Sequence, residues 1–513
     1  MSARALLAQA SGVEPIDMPH VDWGAVAPLA LLFVGALVLL TVSALLPGPA
    51  PKRAYAISTV VVALATAVSG AILWDRVGPD GDGPFTAVAG ALSVDRFSAF
   101  FVVLISAGIV LAALLCDDYL RRERLDGPEV YVLMLLSASG GVLMAMANDL
   151  IVVFLGLEIL SIALYVLTGS HLRRAESQEG AIKYFVLGAF SSAFLLYGIA
   201  LVYGATGSTN LTRISEFLSG NILAEDGLLL AGFAMLLVGF GFKVAAVPFH
   251  VWTPDVYQGA PTPVTAFMAS VSKAAGFAGL LRVFSVTFEP YRDDWRPVVY
   301  VLAILTMLLG SFLAIVQTDV KRMLAYSSIN HAGFILVGVE AATDRGTSAA
   351  LFYLLAYTFM VVGSFGVVTL VGRRGDAHHS LDDYRGLSAA RPALALAFAV
   401  FLLAQAGVPF TSGFMAKFYV IGAAIDAESY SLAIVAMVSA VVSAYLYLRI
   451  VVAMYMTAEP DEVTTARRRI AVPAGAQVSL ALALAFTVVV GILPSGVIDF
   501  ARDAVPIITS AGP

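Results

Sequence analysis

The sequence predicts an all-α, polytopic membrane protein, and three observations carry that prediction. Hydrophobic residues make up 59% of the 513 and charged residues only 13%, against roughly 45–50% and about 25% in a soluble domain. The apolar residues gather into stretches of about 20, the length that crosses a bilayer as a helix. Short polar loops separate the stretches, the longest being 75–96 and 204–226. This composition excludes a soluble globular enzyme and a disordered chain. It also excludes a nucleic-acid binder, which needs a basic surface where this chain has a net charge of −6.

Fourteen stretches qualify: 25–46, 55–74, 97–116, 128–147, 150–168, 179–203, 227–250, 263–286, 298–317, 321–340, 347–371, 392–424 (long and interrupted), 430–456 and 471–499. The first is too long for a signal peptide, and an acidic segment with Glu14, Asp17 and Asp22 precedes it. An even number of spans puts both termini on one side. Alternating the loops places sixteen Lys and Arg on one face, among them Lys52, Arg121, Arg174, Lys321 and Arg467 to Arg469. The other face holds eight, among them Arg4, Arg213 and Arg502. The excess of positive charge predicts that the first face is cytoplasmic and both termini external. With no loop long enough for a soluble domain, 1–513 reads as a single membrane domain.

An internal repeat is expected. Asn148-Asp149-Leu150 opens span 5 and Thr318-Asp319-Val320 opens span 10. Val247-Pro248-Phe249 in span 7 recurs as Val408-Pro409-Phe410 in span 12, at nearly the same separation along the chain. Spans 5 and 10 run in opposite directions, so the repeat is inverted. Helices 4–8 (128–286) then match helices 9–13 (298–456). Such folds hold an ion site near mid-membrane on broken helices. Taken alone, matches this short also arise by chance. Each proline removes a helical hydrogen bond, and Gly407 and Gly413 flank the second, so spans 7 and 12 are expected to be broken.

An ionisable side chain at bilayer depth costs roughly 2.5–3.5 kcal/mol, and five stand out, four of them deep. Glu158 lies in span 5, Lys243 mid-span 7, Lys273 mid-span 8 and Lys417 beyond the break in span 12. Lys183 enters span 6 only about a turn deep, where snorkelling to the interface competes with a part in any ion path. Burial and like charge weaken a lysine's hold on its proton, and a nearby carboxylate strengthens it. Moving Glu158 toward or away from Lys243 would switch proton affinity; an arginine, always protonated, could not respond. The alternative is a purely structural ion pair. His250, past Pro248, and His331, mid-span 10, suit a proton relay near neutral pH or a hydrogen-bonded packing role. Ser161, Ser270, Ser327, Ser328, Asn330, Thr411 and Ser412 accompany these groups, as water-holding or as helix-packing residues. His20, His171, His378 and His379 fall in loops and read as solvated. Cys116 is alone, which leaves no disulfide framework and no thiolate cage for a metal cluster.

The segments GLEILSIALYVL (156–167), GAIKYFVLGAFSSAFLLYGIALVYGATG (180–207), FKVAAVPFHVWTPDVYQGAPTPVTAFMASVSKAAGF (242–277), DVKRMLAYSSINHAGF (319–334) and AGVPFTSGFMAKFYV (406–420) resemble subunit N of NADH-quinone oxidoreductase, bacterial respiratory complex I. The resemblance covers spans 3 to 13. It implies an antiporter-like, proton-translocating subunit with two inverted five-helix repeats, broken helices 7 and 12 and a central polar axis. Glu158 then takes the place of the span-5 glutamate, Lys243 of the pumping lysine, Lys273 of the connecting lysine and Lys417 of the span-12 terminal residue. Lys183, His250 and His331 fall at motif positions as supporting relay groups. Subunit L of the complex carries a long C-terminal lateral helix, and none is expected after 471–499; subunit M resembles a version with glutamate where this chain has Lys417. The multi-subunit Na+/H+ antiporters share the fold and lysines and remain the alternative.

The resemblance further implies a multi-pass protein of the bacterial cell membrane, partnered by neighbouring antiporter-like and small membrane subunits and by the lipid bilayer, with no nucleic acid. NADH, flavin, iron–sulfur and quinone chemistry are expected on other subunits, with no cofactor or metal on this one. Protons are expected to load near His250 and Lys273, follow the axis and leave from Lys417.

Overall fold

The computed structural model describes residues 21–45, 53–221, 225–456 and 470–507. Arg4, Glu14, Asp17, His20, Lys52 and Arg467 to Arg469 lie outside the described residues. The principal helices are α1 (Trp23–Leu45), α2 (Ala54–Arg76), α3 (Arg96–Glu123), α4 (Glu129–Met146), α5 (Leu150–Thr168), α6 (Ala175–Thr206), α7 (Gly227–Val244), α8 (Thr262–Thr287), α9 (Arg292–Ile315), α10 (Val320–Glu340), α11 (Asp344–Val371), α12 (Pro392–Ala406), α13 (Ser412–Asp426), α14 (Tyr430–Met456) and α15 (Ala474–Ile492). Among the described residues, twelve helices are long and apolar enough to cross a membrane. Two of the fourteen expected spans do not meet that requirement. The run Ser327, Ser328, Asn330, His331 interrupts the apolar sequence of α10, and span 12 is divided into α12 and α13, both short. The fold is otherwise helical as expected, with one small exception. In the loop 75–96, β1 (Phe85–Ala87) pairs antiparallel with β2 (Leu92–Val94).

The helices sort by burial. The apolar window of α8 is wholly buried and that of α11 94% buried, whereas that of α1 is 22% buried. Side chains on α8 and α11 therefore meet protein rather than lipid, and any charge there needs an internal partner.

Both expected breaks are present, and their backbone shows why. Ala245 takes a left-handed conformation (φ 64), and the amides of Ala246 and Ala245 bond back to Gly241 O and Phe242 O. Gly407 does the same (φ 93), with Val408 and Gly407 bonding back to Leu403 O and Ala404 O. Both are helix ends closed by a left-handed residue. Pro409 follows Gly407 more closely than Pro248 follows Ala245, so the second break is the shorter. Span 7, expected over 227–250, thus stops at Val244, before Pro248 is reached.

The repeat is written into the loops as well. Leu150 N bonds Thr209 O and Leu211 N bonds Asn148 O; in the second copy Val320 N bonds His379 O and Leu381 N bonds Thr318 O, each residue equally far along the chain from its counterpart. The first bridge shares its rim with Gly90, which accepts from Asn148 and Asn210. The second shares the opposite rim with the Asp376 cluster described below, so the two copies are inverted. Glycines recur at the same offset. A Cβ on Gly140 would stand 2.5 Å from Leu160 N, and one on Gly310 2.7 Å from Asn330 N. These glycines let α4 and α9 lie directly on α5 and α10. Gly140→Leu is expected to lose assembled protein on a native gel, because overpacking at such a contact costs about 1–3 kcal/mol or more; a normal yield would show that the crossing tolerates separation.

Candidate functional site

The break at Ala245 corrects the position of Lys243. It is not mid-helix but the penultimate residue of α7, 4% exposed, where the helix ends inside the protein. The negative end of the helix dipole favours an ammonium there. Its Nζ donates to Ser161 Oγ at 2.9 Å, and its stem packs on Gly276, where a Cβ would meet it at 3.1 Å. Glu158, one turn before Ser161 on α5, accepts from Ser192 Oγ of α6. Glu158 and Lys243 form no direct ion pair. Between α5, α6 and α7 lies a cavity of about 10 Å³ lined by Ser161, Tyr165, Ser191, Ser192 and Lys243, close to the room one water needs.

Lys273, 3% exposed, lies on α8 between two segments of wider π-type turns, Met268–Ser272 and Leu281–Thr287. Such turns shift side chains off the ordinary helical register and recur at functional sites. Its Nζ donates to Ser328 O on α10 at 2.6 Å and faces the Tyr357 ring at 5.8 Å. The buried hydroxyls of Tyr184, Ser328 and Tyr357 make no hydrogen bond to other described residues. Gly276, one turn beyond Lys273, brings the Lys243 stem against the same helix.

From Ser328 the polar groups continue along α10. His331, 1% exposed, has Nδ1 2.7 Å from Tyr353 Oη and Nε2 3.1 Å from Tyr447 Oη. Tyr447 Oη lies 2.6 Å from Ser327 Oγ, which donates to Gln405 Oε1 at 3.3 Å; Gln405 Nε2 donates to Ser364 Oγ at 2.6 Å. Lys417, on α13, reaches back to Ala406 O, the last carbonyl of α12, at 3.0 Å, with Phe334 at 4.8 Å. Each break thus has a lysine beside it: Lys243 is a residue of the closing turn of α7, with its ammonium on Ser161, and Lys417 brings its ammonium to the last carbonyl of α12. The helix-end register pairs Lys243 with Gln405, each standing two places before the left-handed residue that closes its helix. The second repeat therefore has an uncharged amide where the first has its lysine, and Lys417 supplies the amine from the far side of the break.

The remaining expected residues lie elsewhere. His250 sits in the turn after the cis peptide Val247–Pro248, half-buried, its Nδ1 unbonded. It is not two helical turns from Lys243, since no helix joins them, and the Lys273 ammonium bonds Ser328 O rather than His250. Lys183 is 40% exposed and paired with Glu179 and with Asp255, each at 2.6 Å; Arg322 holds the other Asp255 oxygen at 2.7 Å. It belongs to this ion cluster rather than to the Lys243 neighbourhood.

His171 and His379, expected to be solvated, are each 4% exposed. His379 Nε2 lies 2.9 Å from Asp376, which also takes bonds from Arg174 (3.0 Å), Lys321 (3.3 Å), Tyr119 (3.1 Å) and Thr262 (2.8 Å). Asp376 ties the loop after α11 to α3, to the loop after α5 and to the starts of α8 and α10. Burial alone would raise its carboxyl, but Lys321, His379 and Arg174 hold it well below the usual range. A depressed carboxylate stabilises the fold above its unfolded pKa and loses that contribution as pH falls through the folded one. Thermal stability of the purified assembly is therefore expected to hold through neutral pH with respect to this group and to fall only below about pH 4. Asp376→Asn should remove about 3–5 kcal/mol at neutral pH, because Lys321 and Arg174 are left buried without their partner. On the opposite rim, Arg282 of α8 clasps Asp95 at 2.7 and 2.9 Å.

Periodicity gave no signal for Asp376, which lies in a loop. Arg282 did have one, as a charge within an apolar run. Gln405 could be found only by aligning the helix ends. Among the described residues no group of three or more His, Cys, Asp or Glu could hold a metal ion.

Comparison with known proteins extends these observations. The family model described as NADH:quinone oxidoreductase/Mrp antiporter, transmembrane, matches residues 147–443. A curated relative, NADH-quinone oxidoreductase subunit N of Trichlorobacter lovleyi, is 45% identical over 81% of this chain and 84% of its own. A chain of respiratory complex I from Thermus thermophilus, solved with bound aureothin, superposes with a TM-score of 0.76 at 33% identity, covering 93% of this chain and 99% of its own. A chain of the Mrp complex from Dietzia sp. superposes at 0.81 with 22% identity, covering 93% and 97%, a likeness of fold alone.

Proposed function

The chain belongs to the NADH:quinone oxidoreductase/Mrp antiporter transmembrane family, and from that premise we propose how its buried charges work. It is a proton-translocating, antiporter-like membrane subunit of a multi-subunit NADH-quinone oxidoreductase, a translocase, and its partners are the other membrane subunits of that complex. It is a multi-pass membrane protein.

The observation that carries the mechanism is the placement of Lys243 and Lys417 beside the two helix breaks, with Lys273 and His331 between them. In our reading Lys243 takes up and releases the proton that drives the cycle. Glu158, held by Ser192 and separated from Lys243 by one helical turn and Ser161, sets its affinity by approaching or withdrawing. Lys273 passes its proton by way of the unbonded Ser328 and Tyr357 hydroxyls toward His331. The hydrogen-bonded groups His331, Tyr447, Ser327 and Gln405 lead to the end of α12, where Lys417 releases the proton outward. A hydrogen-bonded imidazole between two phenols can shuttle a proton without a net charge remaining on it. We assign His250 to proton entry and Lys183 to the rim, supporting Asp255. The repeats are taken as 128–286 and 298–456 within one domain, 1–513.

The positive face, which holds the Asp376 cluster, is assigned to the cytoplasm, with both termini outside the plasma membrane. NADH, flavin, iron–sulfur and quinone chemistry is assigned to other subunits, in keeping with a lone cysteine.

The test is whether the chain co-purifies with flavin and iron–sulfur subunits, and whether inverted vesicles containing it take up protons on adding NADH. Uptake that is abolished by an uncoupler and needs no sodium is the expected result. Sodium-driven exchange in vesicles without NADH or quinone would favour the cation/proton antiporter instead.

A further inference from the structure

A cavity of about 420 Å³ opens on the positive rim between the ends of α3 and α11 and the start of α15, away from the lysine axis. Arg122, Arg373 and Arg374 line it, opposed by one carboxylate, Asp118, above apolar walls that include Leu115 and Ile470. Arg122 spends two of its nitrogens on Glu123 and the Thr369 carbonyl, and its remaining Nη2 is buried without a partner. Arg373 and Arg374 make no ion pair with a described residue. Arg373 stands in a left-handed conformation (φ 51), which costs a branched or bulky chain energy and persists where the surroundings impose it. Asp118 has the complementary defect: its Oδ2 is buried and accepts no hydrogen bond.

Three guanidinium groups fit a phosphate, which they bind through charge-assisted, often bidentate hydrogen bonds. The free carboxylate oxygen fits a donor two or three bonds further along the same ligand. The apolar walls fit a chain, and the position at a helix-end rim is where lipid headgroups lie. We propose that this cavity binds an anionic glycerophospholipid whose headgroup alcohol carries a hydroxyl, with the phosphate on Arg122, Arg373 and Arg374 and the hydroxyl donating to Asp118. The site depends on the protein's place in a membrane and not on the pumping mechanism.

The bound lipid would also act on the fold. Arg122 is bonded to Glu123, whose other oxygen accepts from Gly375 N at 2.7 Å, in the same loop as Asp376. Anchoring Arg373 and Arg374 would pin the loop that carries the Asp376 cluster.

The experiment uses the whole purified complex, stripped of loosely bound lipid and then titrated while its melting midpoint is followed. Phosphatidylglycerol in mixed micelles is expected to raise the midpoint, and phosphatidylcholine micelles and inorganic phosphate to leave it unmoved. Arg373→Ala/Arg374→Ala should weaken the phosphatidylglycerol response by at least about tenfold, the loss of two charge-assisted contacts, and should retain one fewer phospholipid per complex on extraction. Arg374→Glu, at an exposed position, gives the same answer should the double variant fail to assemble. An equal response to inorganic phosphate would mean a free-phosphate site, and an equal response to phosphatidylcholine would mean unspecific lipid. Either result, or an unchanged lipid count in the variants, overturns the proposal, whether or not the complex pumps.

Discussion

Lys243→Ala is expected to abolish proton uptake through this subunit in NADH-driven inverted vesicles while leaving the complex assembled. The fold should survive because the change removes one hydrogen bond, to Ser161, worth about 0.5–1.5 kcal/mol. It also removes the cost of burying an ammonium, roughly 2.5–3.5 kcal/mol on the insertion scale. The two effects oppose each other, so a native gel should show the variant in the intact assembly. Lys243→Arg separates charge from proton exchange. Arginine keeps the positive charge at the end of α7 but does not release a proton, so it should be as inactive as alanine. Glu158→Gln should slow uptake less than either, since Glu158 acts on Lys243 only from a distance. Normal uptake by assembled Lys243→Ala would remove Lys243 from the pump and leave it as a packing residue.

Lys417→Ala is expected to have the second largest effect, because the second repeat has no other amine beside its break. Gln405 occupies the position that repeats Lys243, and an amide cannot take its place. Uptake should fall to the level of Lys243→Ala. Tyr447→Phe keeps the ring but removes the hydroxyl between His331 and Ser327, and it should slow uptake on the order of tenfold or more if the proton passes there. Lys417→Ala with full uptake would mean that the proton leaves before α12. Full uptake in Tyr447→Phe would place the path on another side of His331.

The resemblance and the residues together made much of this site legible. Lys243, Lys273, Lys417 and Glu158 announce themselves because a charge in a long apolar run is costly, and chains retain it only where something compensates. His331 was visible for the same reason. Gln405 was not, since an uncharged amide in an apolar run carries no such cost and the Val-Pro-Phe match aligns it slightly out of register. His171 and His379 were misread because a residue between spans reads as solvated whatever the loop does. Here the loop after α11 folds inward around Asp376, whose hydrogen-bond and ion partners Tyr119, Arg174, Thr262 and Lys321 come from four other segments.

The sequence by itself determined the membrane class, most of the helices that span it, the neighbourhood of the two breaks and the ionisable residues inside it. Each of these depends on local apolarity, on nearby proline and glycine or on the cost of an isolated charge, quantities that a short stretch of chain carries alone. The tertiary structure decided where each charge finds its partner. It stopped α7 at Val244 and set Lys243 on its carbonyl end, turned Lys417 back to Ala406, separated Glu158 from Lys243 and drew Lys183 to Asp255. Those outcomes depend on groups distant in the chain meeting across helices, through side-chain geometry and left-handed helix ends that no local pattern encodes.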